Sequence, residues 1–305
     1  MPATLKDNFK LVELGGDAFA LLRCEDDSVY SGYGVNQAFV ILEDSVLAFD
    51  AGFTFLQAKS LDNTIRRFTD KKLCYLVDSH HHSDHIFGNS YFYNKYSDRG
   101  LRIISHSNCA SDLKLNGARR LKSYMSVENL RMYLSTLRIQ VPNLTYKLDL
   151  HIEIEGTDFV FVHPESGAHT LGDTLLAMPS KGVIFAGDVL FNSYFPNLQD
   201  ANLESWIDFL NDIDFVSYRK FVPGHGDICN QGEVVGFTKY LQKVRDLLLN
   251  RAGTDDESIR RCFELEGTHN WKFRSAIDTN VKTLSGKFKR SNTQKSQIAF
   301  RGKSR

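Results

Sequence analysis

The chain has 305 residues, of which 42% are hydrophobic, and it contains 37 basic and 37 acidic residues. This composition suits one large domain with a buried core, and its balanced charge indicates no particular class of partner. The sequence contains no long apolar run and no apolar signal core, so we expect a soluble, cytoplasmic protein without a membrane partner. The five cysteines are scattered without C-x-x-C spacing, which argues against a disulfide framework and a cysteine zinc finger.

The first part of the chain predicts a hairpin, a helix and a buried strand. Segments 36–42 and 45–52 are short, rich in β-branched or aromatic residues, and separated by two residues, as is typical of a β-hairpin. Residues 54–69 have apolar positions at helical spacing, and 72–79 form a nearly continuous apolar run. A histidine-rich stretch follows this strand, at the kind of strand end where binding loops gather.

The remainder of the chain continues as helices and strands. Residues 107–140 are predicted to be mostly helical, and helical patterns return at 203–213, 231–250 and 255–266. Strands are expected over 151–156, 158–164, 173–179, 182–188 and 220–226. This order fits an α/β (α+β) domain in which two sheets pack together and helices lie outside them.

The stretch DSHHHSDHIFGN crowds histidines and aspartates into one loop. Imidazole and carboxylate groups are ligands of zinc and related divalent ions. His80 and His82 are two residues apart on an extended segment, so they point the same way and can share one ion. Asp84 and His85 follow and can turn toward a second ion. His81 should point away from its neighbours, toward the surface or behind the ligands.

Three more side chains capable of binding metal lie near predicted strand ends. His169 lies in the loop SGAHTLGD, and Asp188 ends the strand GVIFAGD. His225 lies in FVPGHG, where the flanking glycines allow close approach of the backbone. With the four ligand candidates of the histidine-rich stretch, these make seven candidate ligands for two ions.

Taken together, these motifs resemble those of the metallo-β-lactamase superfamily, in the branch that contains glyoxalase II. The resemblance covers about residues 10–230 and rests on HHHSDH, GAHTLGD, VIFAGD and VPGHG in that order, with the opening NQAFVILEDSVLAFDAG. It implies a four-layered αββα sandwich with the metal site at one edge of the two sheets.

The resemblance also implies how the ligands divide between two zinc ions, with iron or manganese as alternative metals. The first ion would be bound by His80, His82 and His169. The second ion would be bound by Asp84, His85 and His225, and Asp188 would bridge the two ions.

Two further residues have less specific patterns. Asp50 ends a predicted strand near the site, where it would either orient a ligand histidine or cap the turn. Tyr194 would either reach the substrate or pack into the fold, and we favour packing. The stretch FNSYFPNLQDANLESWIDFL predicts an aromatic wall beside the site and therefore a partly apolar substrate.

A two-metal site predicts a hydrolase. Two zinc ions lower the pKa of a bridging water, and the resulting hydroxide would attack a small ester, lactone, thioester or related carbonyl substrate. Asp84 would orient this nucleophile and take its proton. Asp188 argues against a dedicated β-lactamase, which usually lacks this aspartate. The substrate-binding domain of glyoxalase II is not recognisable in residues 231–305.

Two other activities remain open. One is a nuclease or phosphodiesterase of the same fold. The other is a mononuclear iron sulfur dioxygenase, which would use only the first three histidine positions and the aspartate. His82 argues against the flavo-diiron relatives, which carry glutamate there. The number and kind of bound metal ions would separate the dioxygenase from the hydrolase.

We predict three segments: a metallo-β-lactamase-fold domain over 1–230, a helical C-terminal extension packed on the core over 231–280, and a basic, disordered tail over 281–305. The tail holds eight basic residues and no acid, so the rest of the chain has 29 basic and 37 acidic residues. An acidic core disfavours nucleic acid as a partner, leaving the basic tail as the segment that would bind it. The expected partner is a small-molecule substrate, and the sequence does not predict an oligomeric state.

Overall fold

Two β-sheets form the centre of the molecule. The computed structural model describes residues 8–23, 28–212, 217–250 and 255–286. The first sheet contains, in order across it, β1 (Lys10–Gly15), β2 (Ala18–Leu22), β3 (Gln37–Ile41), β4 (Ser45–Phe49), β5 (Lys72–Val77), β6 (Arg102–His106) and β7 (Leu144–Tyr146). The second contains, again in order, β8 (Leu150–Ile154), β9 (Thr157–Val162), β10 (Leu175–Met178), β11 (Val183–Phe191) and β12 (Lys220–His225).

Helices connect the strands and cover the two sheets. They are α1 (Phe55–Phe68), α2 (Ser83–Ile86), α3 (Asn89–Tyr96), α4 (Ser107–Tyr124), α5 (Arg131–Leu134), α6 (Leu203–Asp212), α7 (Gln231–Asn250), α8 (Asp256–Arg261) and α9 (275–286). Short 3-10 turns occur at Val29–Gly34, Ser97–Arg99 and Pro179–Lys181. Among the described residues, no helix is both long enough and apolar enough to cross a membrane.

The strand pairing explains how the chain returns to one edge. The predicted hairpin is confirmed, since β3 and β4 are antiparallel neighbours. From β4 to β7 the neighbouring strands run parallel, and β11 and β12 are also parallel. Parallel neighbours need a crossover, and α1 supplies the first one. It begins at a capping box, in which Thr54 and Gln57 each bond the other's backbone.

Side chains alternate between a core inside the sandwich and the helices outside it. In β10, Leu176 packs between the two sheets, whereas Leu175 and Ala177 face the helices beside the second sheet. In β3, Val40 packs between the sheets and Phe39 faces α1 and α3. This period-two pattern with apolar residues on both faces is what a sheet covered on both sides requires. The predicted αββα sandwich is confirmed.

The C-terminal helices pack on the outer side of the second sheet. Leu241 of α7, Ile259 of α8 and Ile277 of α9 are fully buried in the same cluster as the outward side chains of β10 and β11. Helix α9 includes residues 281–286, the start of the segment predicted to be a disordered tail. The rest of that segment lies outside the described residues.

Candidate metal centre

One edge of the sandwich collects polar side chains from both sheets. Asp50 follows β4 and the histidine-rich loop follows β5, and these strands run parallel. His225 ends β12, which is parallel to β11. Asp188 lies in β11 where the register between these two strands shifts. Parallel strands bring their carboxyl ends to one edge, and a register shift re-aims a side chain there.

Glycines on both sides of His225 allow β12 to approach the site closely. A Cβ atom on Gly224 would lie 1.8 Å from Asp188 Oδ1, and one on Gly226 would lie 2.0 Å from the carbonyl oxygen of Asn192. Gly226 also has a φ of +97°, a conformation that other residues rarely adopt. A larger residue at Gly224 would move the β12 backbone away from Asp188, and one at Gly226 would displace the backbone at Asn192.

The carboxylate of Asp188 lies at the centre of the predicted ligands. Its Oδ1 atom lies 3.1 Å from His85 Nε2 and 3.4 Å from His225 Nε2. Its Oδ2 atom lies 3.3 Å from His169 Nε2 and 3.8 Å from His80 Nε2. Each oxygen therefore faces one of the two ligand sets that the family resemblance implies.

The remaining two candidate ligands complete these sets. His82 Nδ1 lies 2.9 Å from His169 Nε2. Asp84 Oδ2 lies 3.3 Å from His225 Nε2 and 3.6 Å from His85 Nε2. Within each set, the potential ligand atoms lie within 4.8 Å of one another. The two sets are His80, His82, His169 and Asp188; and Asp84, His85 and His225.

Asp50 and Ser79 orient two of the histidines. The Asp50 carboxylate accepts hydrogen bonds from the Ser79 backbone N–H (2.8 Å), the Ser79 hydroxyl (2.9 Å) and His85 Nδ1 (2.7 Å). Since the Ser79 hydroxyl donates to Asp50, it accepts from His80 Nδ1, which lies 2.9 Å away. Both histidines therefore carry a proton on Nδ1 and turn Nε2 toward the centre. Asp50 therefore lies where the first of its two predicted roles, the orientation of a ligand histidine, requires it.

The backbone of Tyr33 orients His225. His225 Nδ1 lies 3.0 Å from the carbonyl oxygen of Tyr33, and a carbonyl oxygen only accepts, so Nδ1 donates. This leaves Nε2 of His225 for the centre. Tyr33 has a φ of 58° and follows Gly32, whose φ is 63°. A non-glycine residue held in this conformation is strained, and such strain is often found at functional sites.

Three atoms at the centre are buried and make no hydrogen bond: His80 Nε2, His85 Nε2 and Asp188 Oδ1. An unsatisfied buried polar group costs roughly 1–3 kcal/mol, so three together are exceptional. A divalent cation would satisfy all three, because imidazole nitrogens and carboxylate oxygens are its usual ligands. The residues present therefore fit a metal centre.

Comparison with known proteins assigns a family. The family model described as the metallo-beta-lactamase superfamily matches residues 31–225, which is more than half of the chain. The chain belongs to the metallo-β-lactamase superfamily. Members of this superfamily bind metal ions, which agrees with the clustered histidines and aspartates. No curated protein has a matching sequence.

Solved structures of metallo-β-lactamases share the fold of this superfamily member. The metallo-β-lactamase from Pontibacter korlensis is 17% identical, with a TM-score of 0.60 over 77% of this chain and 99% of that one. IND-7 is 16% identical, with a TM-score of 0.60 over 78% and 100% of the two chains. FIM-1 from Pseudomonas aeruginosa, in its mono-zinc form, is 14% identical, with a TM-score of 0.60 over 77% and 95%. At these identities the similarity establishes the fold alone.

The electrostatics favour the metal-binding forms of His80 and Asp188, whereas burial of His85 is outweighed by the carboxylates of Asp188 and Asp50, which raise its pKa. Burial lowers the pKa of His80 well below its usual value, and the neighbouring His85 and His82 lower it further. Burial raises the pKa of Asp188, but His225 and His85 outweigh it and hold this pKa below its usual range. At neutral pH, His80 is therefore neutral and Asp188 is ionised, as metal coordination requires.

A third cluster adjoins the first ligand set. Asp200 Oδ2 lies 3.0 Å from His82 Nε2 and 3.5 Å from His81 Nε2. The same His81 Nε2 atom lies 3.7 Å from Asp112 Oδ1. Asp112 in turn forms an ion pair with Arg120. The bonds from His81 and His82 lower the pKa of Asp200. Asp200 was not among the predicted site residues, because no motif surrounds it in NLQDANLE.

A small, mostly polar cavity of about 280 Å³ lies over the centre. Its wall comes from the 3-10 turn, from α4, from the loop after β11 and from the C-terminal segment. The lining residues other than centre residues are Tyr33, Ser83, Arg120, Tyr124, Asn197, Gln199, Phe273, Ser275 and Thr279. The hydroxyls of Tyr33 and Tyr124 hydrogen-bond each other.

The predicted aromatic wall after Asp188 is wrong. Tyr194, Phe195 and Trp206 are fully buried in the core cluster of the second sheet. The Tyr194 ring packs 5.7 Å from that of His225, so this residue supports a histidine from behind and does not line the cavity. Trp206 packs against Phe237 of α7, and Phe195 packs against Trp271, so these rings are buried in the core and not at the cavity.

Proposed function

We propose that this protein is a dinuclear zinc-dependent hydrolase of small esters, lactones, thioesters or related carbonyl compounds. The main support is the arrangement around Asp188, whose two oxygens face separate ligand sets at the floor of a cavity. His80 Nε2 and His85 Nε2, which are buried without a hydrogen bond, also support it. The β-lactamase neighbours contribute the fold to this proposal, and membership of the glyoxalase II-like branch stays a prediction.

The two ligand sets would each hold one ion, with Asp188 between them. Zinc bound there would supply Lewis acidity and would lower the pKa of a coordinated water toward neutrality. The contacts of Asp50 with His85 and of Tyr33 with His225 fix the ring nitrogens that face this position. Such supporting contacts orient ligands and raise their basicity.

Asp84 is the residue we assign to nucleophile orientation. Its side chain lines the cavity, and its Oδ2 atom lies 3.3 Å from His225 Nε2. Burial raises its pKa, but His85 and His225 lower it by more, so the carboxylate is ionised at neutral pH. An ionised carboxylate at the cavity floor would accept a hydrogen bond from the attacking water and would take its proton.

The cavity wall favours a small polar substrate. Arg120, Asn197 and Gln199 offer donors that can bind a carbonyl or carboxylate oxygen. The hydroxyls of Tyr33 and Tyr124 lie on the same wall, and burial raises the pKa of both, so they remain protonated donors. A cavity of about 280 Å³ lies just below the usual range for small-molecule sites.

Metal analysis of the purified protein is the first test. We expect two zinc ions per chain, together with hydrolysis of chromogenic esters, lactones or thioesters that is lost on chelation and regained with zinc. Asp84→Asn should weaken the ion held by the second ligand set, and it should lose most of this hydrolysis even when zinc is added to saturation. One iron ion per chain with oxygen uptake on persulfides would replace the proposal with a sulfur dioxygenase, and cleavage of phosphodiesters alone would replace it with a phosphodiesterase.

A further inference from the structure

We infer that Asp200 is a positioning residue of the metal centre, which holds the His82 ring through Nε2 so that Nδ1 faces the metal. The inference rests on the metal centre of the proposed function, and it is independent of the substrate. The sequence motifs include His82 but not Asp200, which lies in the loop between β11 and α6.

His82 is oriented differently from the neighbouring ligands. His80 and His85 donate from Nδ1 to Ser79 and Asp50 and turn Nε2 inward. His82 does the reverse, because its Nδ1 atom lies 2.9 Å from His169 Nε2 and its Nε2 atom lies 3.0 Å from Asp200 Oδ2. A carboxylate only accepts, so Nε2 carries the proton and Nδ1 presents its lone pair.

His82 also depends on its partner more than the other ligands do. The side chains of His80, His85 and His169 are almost completely buried, so packing holds their rings. The His82 side chain is 17% exposed and lies at the cavity wall. Packing therefore restrains its ring less, and a rotation of the ring would exchange the two nitrogens. The bond to Asp200 opposes that exchange.

Contacts from two other parts of the chain fix the loop that carries Asp200. Asn280 of α9 is fully buried; its Nδ2 group donates to the Pro196 carbonyl (2.9 Å), and its Oδ1 atom accepts from the Leu198 N–H (2.6 Å). The N–H of Asn202 donates to the carbonyl of Ala168 (2.9 Å), next to His169. A carboxylate on a braced loop is preorganised, which a positioning role requires.

His81 contributes to the same arrangement. It is only 7% exposed, and its Nε2 atom lies 3.5 Å from Asp200 Oδ2 and 3.7 Å from Asp112 Oδ1. Asp200 thus lies between two histidine rings, which limits the positions available to its carboxylate. The atoms of His81, His82 and Asp200 also lie close enough to bind an ion themselves. The experiment must therefore separate a positioning role from a ligand role.

The first measurement uses the metal-free protein and does not depend on metal or substrate. Selective ¹⁵N labelling of histidine, with the His82 signals assigned by their loss in His82→Gln, reports which ring nitrogen is protonated. We expect the Nε2–H form in the wild-type protein and a mixture of both forms in Asp200→Ala. An unchanged His82 signal in Asp200→Ala would overturn the inference.

The second measurement is zinc affinity, by competition with a chromophoric chelator. Asp200→Ala should weaken one of the two ions by about 10–100-fold, as is usual for loss of a contact behind a ligand. Asp200→Asn should lose much less zinc affinity, because its amide oxygen still accepts from His82 Nε2. Asp112→Ala is the matched control, since it removes a carboxylate beside His81 and leaves the Asp200 bond to His82; its affinity should equal that of wild type.

The outcomes separate the inference from the proposed function. Equal losses in Asp200→Asn and Asp200→Ala would make Asp200 a ligand and overturn the positioning role. Two tightly bound ions without any hydrolysis would defeat the proposed function and leave the inference intact. Hydrolysis by the wild-type protein, together with an unchanged zinc affinity in Asp200→Ala, would overturn the inference and leave the proposed function intact. Circular dichroism of each variant checks that the fold is retained, as expected for a side chain that is 39% exposed.

Discussion

Asp188 places its Oδ1 atom 3.1 Å from Nε2 of His85, and neither atom makes a hydrogen bond although both are buried. Buried polar atoms are almost always paired in folded proteins. The approach of these two atoms without a hydrogen bond fits a cation bound by both. This relationship links the two sheets, because Asp188 lies in β11 and His85 follows β5.

Replacing Asp188 with alanine should remove metal without unfolding the protein. Without its two oxygens, the two ligand sets lose their shared carboxylate, so we expect bound zinc to fall from two ions per chain to fewer than one, with loss of hydrolysis. Elemental analysis measures the zinc, and circular dichroism follows the fold. Asp227→Asn is the control, because this exposed acid follows His225 closely but lies outside both ligand sets. Two tight ions and full turnover in Asp188→Ala would show that Asp188 is not a ligand.

Replacing Asp50 with asparagine should weaken the second ligand set. Asparagine tolerates the φ of 59° at this position, but its amide nitrogen cannot accept from Ser79 or His85. We expect zinc affinity to fall about 10–100-fold and the free energy of unfolding of the metal-free protein to fall by roughly 1–3 kcal/mol. Chelator competition and urea unfolding measure these two quantities.

Ser79→Ala is the matched control for the Asp50 prediction. It removes the hydroxyl between Asp50 and His80 but leaves the contact of Asp50 with His85. The ion held by the first set should therefore be the one that weakens. Wild-type affinity for both ions in Asp50→Asn would contradict an orienting role for this carboxylate.

Asp173 should make the metal-free protein less stable as the pH rises. Burial raises its pKa from 3.8 to about 6, although the Thr170 and Ala168 backbone N–H groups donate to it. The folded state therefore binds more protons than the unfolded state between these values. This contribution is fully present below pH 3.8 and is lost as the pH rises through 6, at a cost of about 3 kcal/mol.

Asp173→Asn tests this prediction, since asparagine does not titrate. The difference in free energy of unfolding between the wild type and Asp173→Asn should shift by about 2 kcal/mol, against the wild type, between pH 4 and pH 6.5. Urea unfolding of both proteins in the presence of a chelator measures the difference. A constant difference over this range would mean that Asp173 titrates at its ordinary pKa.

Replacing Asn280, which lies in the C-terminal extension, with alanine should destabilise the protein. Both polar atoms of this buried side chain bond the loop after β11, so the Leu198 N–H and the Pro196 carbonyl would lose their partners. Two unsatisfied buried groups should lower the free energy of unfolding by about 2–5 kcal/mol. Urea unfolding measures this loss.

An exposed asparagine provides the control for Asn280. Within the part of the chain that the structure describes, the Asn250 side chain bonds the carbonyl of Asp246 in its own helix and no other group, so Asn250→Ala should change the free energy of unfolding by no more than about 0.5 kcal/mol. Equal stability of Asn280→Ala and wild type would mean that the extension does not support the loop. The predicted division into a core domain and a packed extension would then need revision at this contact.

The element order and the main ligand candidates followed from local sequence patterns. Apolar runs and helical periodicity predicted β3 to β5, α1, α6 and α7 close to their observed bounds, because burial on a sheet or helix face imposes a period on the sequence. His169, Asp188 and His225 followed from their places beside strands, since parallel strands bring their ends to one edge. The helix expected over 255–266 ends earlier, at Arg261.

The environment of those ligands followed only from the tertiary structure. Asp200 reaches His82 from 118 residues away, and Asn280 braces its loop from 82 residues beyond Leu198. Such contacts depend on how loops cross the sheet edge, which no local period encodes. The direction of the aromatic side chains after Asp188 also depended on the helix that covers them.

The sequence by itself therefore determined which kinds of side chain could bind metal and on which elements they lie. The tertiary structure alone decided which ring nitrogen faces the centre in His80, His82, His85 and His225. Both nitrogens are present in every imidazole, and the partner of one fixes the proton and leaves the other free. For His85 and His82 those partners are Asp50 and Asp200, and only the folded chain brings them together.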